Sequence, residues 1–249
     1  MLNVWFYVLF SIFIISLISL VGIIFISVKP KKLEKILIYM ISFSAGALFG
    51  DVFIHIFPEI FKGSLNNIKI SITILSGILF SFITEKFIHW QHCHMPITKE
   101  HKHPFAIMIL YGDGIHNFVD GLIIAGSYLV NLQIGIATTL AVVLHEIPQE
   151  IGDFGILIHG GFKRKKALLV NFLISLTAFA GGIIALLLGA RMSGIKDFLL
   201  PFAAGTFIYI AGSDLIPELH KETAVKRSLI QLITFILGIG IMFLLLLIG

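Results

Sequence analysis

The sequence predicts an all-α polytopic membrane protein, with eight transmembrane helices in a 3+2+3 arrangement built on inverted repeats. Three observations lead there. Hydrophobic residues make up 57% of the 249 residues and charged residues only 13%, a balance foreign to ordinary soluble domains. The apolar residues come in blocks of about 20 or more, each long enough to cross ~30 Å of hydrocarbon as a helix. One block also returns late in the chain. Ser42-Phe43-Ser44-Ala45-Gly46 precedes Pro58-Glu59-Ile60 by the interval that separates Pro201-Phe202-Ala203-Ala204-Gly205 from Pro217-Glu218-Leu219, and the offset is 159 throughout.

Taken in order, residues 2–28 hold no Lys or Arg before Lys29. A cleaved signal peptide has a basic start and a shorter apolar core, so this block reads as a retained first helix. The second span, near 36–61, carries the first copy of the repeat, with Asp51 and His55 one helical turn apart as candidates for lining a path. The third lies near 68–90. After it, residues 89–104 gather His89, His92, Cys93, His94, His101 and His103, a composition suited to weak metal capture on the cytoplasmic side. The fourth and fifth spans, near 105–130 and 133–160, hold the densest polar clusters of the chain. The sixth is near 166–190. The seventh, near 197–219, carries the second copy of the repeat, with Asp214 at the position of His55, and the eighth is near 228–248. Glu59, Glu85, Asp113, Asp214 and Glu218 lie near span ends and are weaker path candidates, as is Asp153 within the fifth span.

Basic residues set the orientation. Fourteen of the 18 Lys and Arg fall in the first, third, fifth and seventh connections, among them Lys31, Lys32, Lys99, Lys102, Arg164, Lys165 and Arg227. Those connections are therefore expected on the cytoplasmic side, with both termini on the other. The second and seventh spans then run in opposite directions, which makes the repeat an inverted one, a plan common among secondary transporters. The formal charge of +4 is dispersed between apolar blocks and offers no nucleic-acid face. The lone Cys93 permits no internal disulfide.

The chemistry concentrates in His116-Asn117-Phe118-Val119-Asp120-Gly121 and His145-Glu146-Ile147-Pro148-Gln149-Glu150. An ionised side chain in the middle of a membrane helix costs roughly 2.5 to 3.5 kcal/mol on insertion scales, and so many together need an ion or water to compensate them. On helices, His116 and Asp120 share a face with Asn117 beside them, and His145 and Gln149 repeat the i, i+4 spacing; Glu146, Glu150 and Asp153 occupy a neighbouring face. Two such faces turned together present nitrogen and oxygen ligands for a transition metal between helices. Pro148 has no N–H for the carbonyl of Leu144, so a kink is expected there, with the freed carbonyl facing a water-filled path.

These motifs resemble those of the ZIP (zinc/iron-regulated-transporter-like) divalent-metal transporters. The paired signature is His116-Asn117-x-x-Asp120-Gly121 and His145-Glu146-x-Pro148-x-Glu150, and Gly50-Asp51-x-x-x-His55-x-x-Pro58 resembles the family's second span. The resemblance covers essentially the whole chain. It implies metal ligands at His116, Asp120 and His145, with Asn117 and Glu146 at the second position of a two-metal centre, and helices that slide as a unit against a scaffold. In the subfamily most resembled, position 149 is usually His; Gln149 replaces a nitrogen ligand by a neutral amide.

The rival is an intramembrane zinc hydrolase, whose His-Glu-x-x-His motif needs a second imidazole where this chain has Gln149. The expectation is a non-enzyme that moves a divalent metal toward the cytoplasm, most favourably Zn2+ with Fe2+ or Mn2+ as alternatives. The metal is substrate and not catalytic cofactor. The remaining expected partner is the bilayer, and a homodimer is left open. Imidazole suits zinc and iron, and a thiolate-free site disfavours Cu(I).

Overall fold

The structure is a computed structural model and describes residues 2–22, 30–62, 66–89, 104–159, 161–191 and 194–247. All regular structure among the described residues is helical. Counting helices that continue through a π turn, or through Leu176, as one rod, the order is as follows. α1 is Leu2–Ile18; α2 is Pro30–Gly50, extended through Asp51–Ile56 and Phe57–Lys62; α3 is Asn67–His89; α4 is Pro104–Val130; α5 is Leu132–His159. α6 comprises Arg164–Ser175 and Thr177–Arg191; α7 is Ile195–Tyr209, extended through Ile210–Leu215 and Ile216–His220; α8 is Val225–Leu245. Six rods, α1, α2, α3, α6, α7 and α8, contain a stretch long and apolar enough to cross a membrane. α4 and α5, of 27 and 28 residues, carry the polar clusters and are not among the six.

Small residues decide which rods touch. α8 packs most extensively on α2, α7 on α3, and α6 on α4. A Cβ added to Gly46 would run into the carbonyl of Phe235, and one on Gly238 into that of Phe43. On the other pair, Gly205 would strike the carbonyl of Ile74, and Gly77 that of Phe202. Close backbone approach of this kind is how membrane helices gain contact where no hydrophobic effect separates them from lipid. Gly46 and Gly205 are 159 residues apart, as are Phe43 and Phe202, so the α2–α8 and α7–α3 contacts are one contact made twice.

The same offset governs two irregular features. Asp51–Ile56 and Ile210–Leu215 are both π turns, and each is followed by a proline, Pro58 or Pro217. Each proline lacks the N–H that would bond the carbonyl four residues back, at Ile54 and Ser213, and its ring clashes with that carbonyl in a regular helix; a wider turn accommodates both. Phe13-Ile14-Ile15-Ser16-Leu17 of α1 also matches Phe172-Leu173-Ile174-Ser175-Leu176 of α6 at an offset of 159. The Ser16 hydroxyl donates to the Ser175 carbonyl at 3.3 Å, and the Ser175 hydroxyl donates to the Ser16 carbonyl at 3.4 Å. Reciprocal contact between equivalent residues is the mark of a two-fold relation.

α4 and α5 lie together in the middle, touched by α1, α2, α6 and α7. The outer rods expose apolar side chains, among them Ile68, Ile72 and Leu75 of α3 and Leu229, Leu232 and Ile236 of α8, a surface that hydrocarbon solvates and water does not. The Leu144 carbonyl freed by Pro148 does not face a water path. It accepts the hydroxyl of Ser44 from α2 at 2.5 Å, because a buried carbonyl is costly without a donor and a serine stands within reach.

Candidate metal centre

The i, i+4 spacing on α4 brings His116 and Asp120 onto one face, and the adjacent pair His145–Glu146 on α5 meets them. These four side chains each turn one ligand atom into a common space, all within 4.8 Å of one another, and they are the one such group of His, Cys, Asp and Glu among the described residues. His116 Nε2 lies 3.2 Å from His145 Nε2, 3.5 Å from Asp120 Oδ2 and 3.2 Å from Glu146 Oε1. His145 Nε2 lies 3.4 Å from Asp120 Oδ2 and 3.8 Å from Glu146 Oε1. Zinc bonds to nitrogen and oxygen of about 2.0 to 2.2 Å, arranged as a tetrahedron, hold their ligand atoms about 3.3 to 3.6 Å apart. The observed separations bracket that edge length.

Protonation and burial fit the same use. His145 is 1% exposed and its Nδ1 sits 3.1 Å from the Ala141 carbonyl. An Nδ1–H donated there leaves the Nε2 lone pair toward the cluster, the usual arrangement for a metal-binding imidazole. The His116 and His145 rings meet edge to face, and Phe207 of α7 closes over His145. Asp120 Oδ1 and Glu146 Oε2 are buried without hydrogen-bond partners, while Asp120 Oδ2 and Glu146 Oε1 face the two imidazole nitrogens. Buried anionic oxygens left unbonded are costly, and a cation between them removes that cost.

Asn117, Gln149 and Glu150, the other predicted ligands, have contacts of their own beside this group. Asn117 is fully buried, but its amide donates to the carboxylate and carbonyl of Asp113, at 2.7 and 3.1 Å. Gln149 lines a cavity of about 220 Å³ together with Asp113, His116, Asp153, Glu85, Tyr209 and Asp214, where its amide faces the Asp113 carboxylate. Glu150 is buried one turn beyond Glu146 and accepts the amide of Asn171. The cavity thus runs from His116 to exposed Asp214, with room for water-coordinated ions.

Asp51 and His55 point to different neighbours. Asp51 is fully buried and accepts the Thr138 hydroxyl of α5 at 3.0 Å, whereas His55 Nε2 lies 2.9 Å from the Met242 carbonyl of α8. His89 ends α3, and His92, Cys93, His94, His101 and His103 lie outside the described residues. Sequence reasoning missed Asn171, Thr138, Ser44 and Tyr209, whose hydroxyl donates to Glu85. Of these, Asn171 had a signal: an amide inside Leu168-Leu169-Val170-Asn171-Phe172-Leu173-Ile174 has no reason to sit in an apolar helix unless it meets a polar partner.

The family model described as ZIP Zinc transporter matches residues 2–105 and 98–246. The chain is 31% identical to zinc transporter ZIP13 of Danio rerio, with 86% of this chain and 76% of that protein aligned. It is 29% identical to zinc transporter zipt-7.1 of Caenorhabditis briggsae, over 97% of this chain and 79% of the relative. A zinc transporter ZIP13 homolog of Drosophila melanogaster is also 29% identical, over 84% and 77%.

Proposed function

This chain belongs to the ZIP zinc transporter family, and on that premise we propose that it carries Zn2+, with Fe2+ or Mn2+ as competing ions, across a membrane toward the cytoplasm. The observation that carries the reading is the meeting of His116, Asp120, His145 and Glu146 within 4.8 Å between two central helices. Two carboxylates neutralise a dication, and two imidazoles favour zinc or iron over calcium and magnesium. The ion sheds water to enter this buried group and regains water in the cavity beyond Gln149. A hydrolase reading finds no support, since the family is one of transporters and the position of a second imidazole on α5 is occupied by Gln149.

The architecture we propose is eight spans in a 3+2+3 order, α1–α3 related to α6–α8 by inversion about α4 and α5. The paired glycine contacts, the two π turns and the Ser16–Ser175 exchange support it. The bias of Lys and Arg toward alternate connections supports termini on the non-cytoplasmic side. The cavity then opens to the cytoplasm, since Glu85 and Asp214 lie toward helix ends that lead into basic connections.

The test is uptake by the purified chain in liposomes, with Zn2+, Fe2+ and Mn2+ in competition. Saturable Zn2+ uptake is expected, and Asp120→Ala should abolish it while leaving membrane insertion intact. Wild-type kinetics in that variant would remove the assignment.

A further inference from the structure

The turn between α5 and α6 carries charge that neither the metal centre nor its cavity uses. The chain leaves α5 through Gly161, whose φ of +90° closes the helix end with a left-handed residue. The Gly161 N–H donates to the Ile158 carbonyl at 3.1 Å, and the Phe162 N–H to the Leu157 carbonyl at 3.0 Å. Phe162 is buried with Phe154, Leu157 and Ala167, so the chain is pinned on both sides of the turn. Lys163 is extended, and α6 begins at Arg164 with no acidic residue in its first turn. Lys163, Arg164, Lys165 and Lys166 are all exposed, and none forms an ion pair with another described residue. In the seventh connection, by contrast, Lys221 pairs with Glu218 and Arg227 with Glu222. Four consecutive cations repel one another, and they stand at the positive end of a helix dipole, where acidic side chains are the favourable choice. The bias that sets orientation asks only that basic residues lie in the connection. It does not call for this crowding.

The face of α6 that begins in charge continues in leucine. Lys165, Leu169 and Leu173 recur at i, i+4 and share one side of the helix, and the two leucines are 57% and 54% exposed. The rod Arg164–Arg191 is long and apolar enough to cross a membrane, so Leu169 and Leu173, about 6 and 12 Å along its axis from Lys165, meet acyl chains while the cations lie at the depth of lipid phosphates. We infer that Lys163, Arg164, Lys165 and Lys166 form a docking surface for the headgroup of an anionic phospholipid whose acyl chains lie along Leu169 and Leu173. On the orientation proposed above, this surface faces the cytoplasmic leaflet, the one that carries anionic lipid. Charge complementarity selects the headgroup, and the leucines select its source: a free phosphate or a soluble acidic protein makes no use of exposed apolar side chains below the membrane surface.

The experiment counts lipid retained on the full chain. Purified protein in neutral detergent is offered equal amounts of phosphatidylglycerol and phosphatidylcholine with the same acyl chains, and native mass spectrometry reads what stays bound. Each Lys or Arg beside an anionic surface contributes about fivefold in binding, so wild type should prefer phosphatidylglycerol by about a hundredfold or more. Replacing Lys163, Lys165 and Lys166 together by Gln should leave about fivefold, the share of Arg164, and replacing the same three by Arg should keep the full preference. Removing three cations elsewhere, by Lys221→Gln, Lys226→Gln and Arg227→Gln, should leave it as in wild type. Should the first triple variant fail to fold, Lys165→Gln and Lys166→Gln decide singly, each lowering the preference about fivefold. Equal retention of the two lipids by wild type, a preference that survives the Gln variants, or an equal loss in the control triple would overturn the proposal. Displacement of phosphatidylglycerol by inorganic phosphate would overturn it too, since the surface would then take a free anion. None of these readouts involves Zn2+ uptake, so failure here and failure of the transport reading are told apart.

Discussion

At the scale of single residues, Gln149 separates what the helix dictates from what the neighbours decide. Its i, i+4 relation to His145 suggested a ligand beside the kink, yet its amide faces Asp113 on the cavity wall. An imidazole at that position would stand on the way out of the buried group. Gln149→His is therefore expected to shift competition toward Zn2+, lowering both the half-saturating concentration and the maximal rate, because tighter nitrogen ligation slows release. Side-by-side Zn2+ and Mn2+ uptake measures it; an unchanged preference would show that the ion does not meet this side chain. His116, Asp120, His145 and Glu146 were all legible beforehand, since adjacent and one-turn spacings are fixed by helix geometry. The approach of Gln149 to Asp113 and the pairing of Glu150 with Asn171 were not, because they depend on α4 and α6, distant in sequence.

Among the elements, α2 and α5 are tied at a point that proline creates. Ser44→Ala removes the donor to the Leu144 carbonyl and should lower thermal stability by about 1 kcal/mol, the net worth of a typical hydrogen bond. Adding Pro148→Ala should offset part of that loss, since an N–H at 148 can take the carbonyl back into the helix. Scanning calorimetry or a thermal-shift series on the two single variants and the double variant checks the coupling. Gly46→Leu should be worse than either, at about 1 to 3 kcal/mol or more, because its side chain meets the Phe235 carbonyl and not a yielding side chain. The helical class could be read from apolar block length alone. The π turns could not, although Pro58 and Pro217 marked the places where they form. Nor was the Ser16–Ser175 pairing noticed, since a single matched serine among Phe, Ile and Leu carries little information until the two hydroxyls are seen to meet.

For the molecule as a whole, the distribution of Lys and Arg makes a claim that Cys93, the one thiol of the chain, can test without engineering. A membrane-impermeant maleimide should label Cys93 in inverted vesicles and leave it unlabelled in sealed cells; the opposite pattern would reverse the direction assigned to the transport path. The repeat bears on a different question, that of descent. Both halves carry a π turn at the same place with a proline seven residues from its start, Asp51 to Pro58 and Ile210 to Pro217. A π turn inside a helix amounts to one residue inserted into a regular register. One insertion inherited by two copies is a shorter history than two separate insertions at matching sites. On the inverted architecture proposed above, the extra residue is older than the duplication, and a half-length ancestor that already carried it entered membranes in both orientations before its two copies were joined and each became fixed in one.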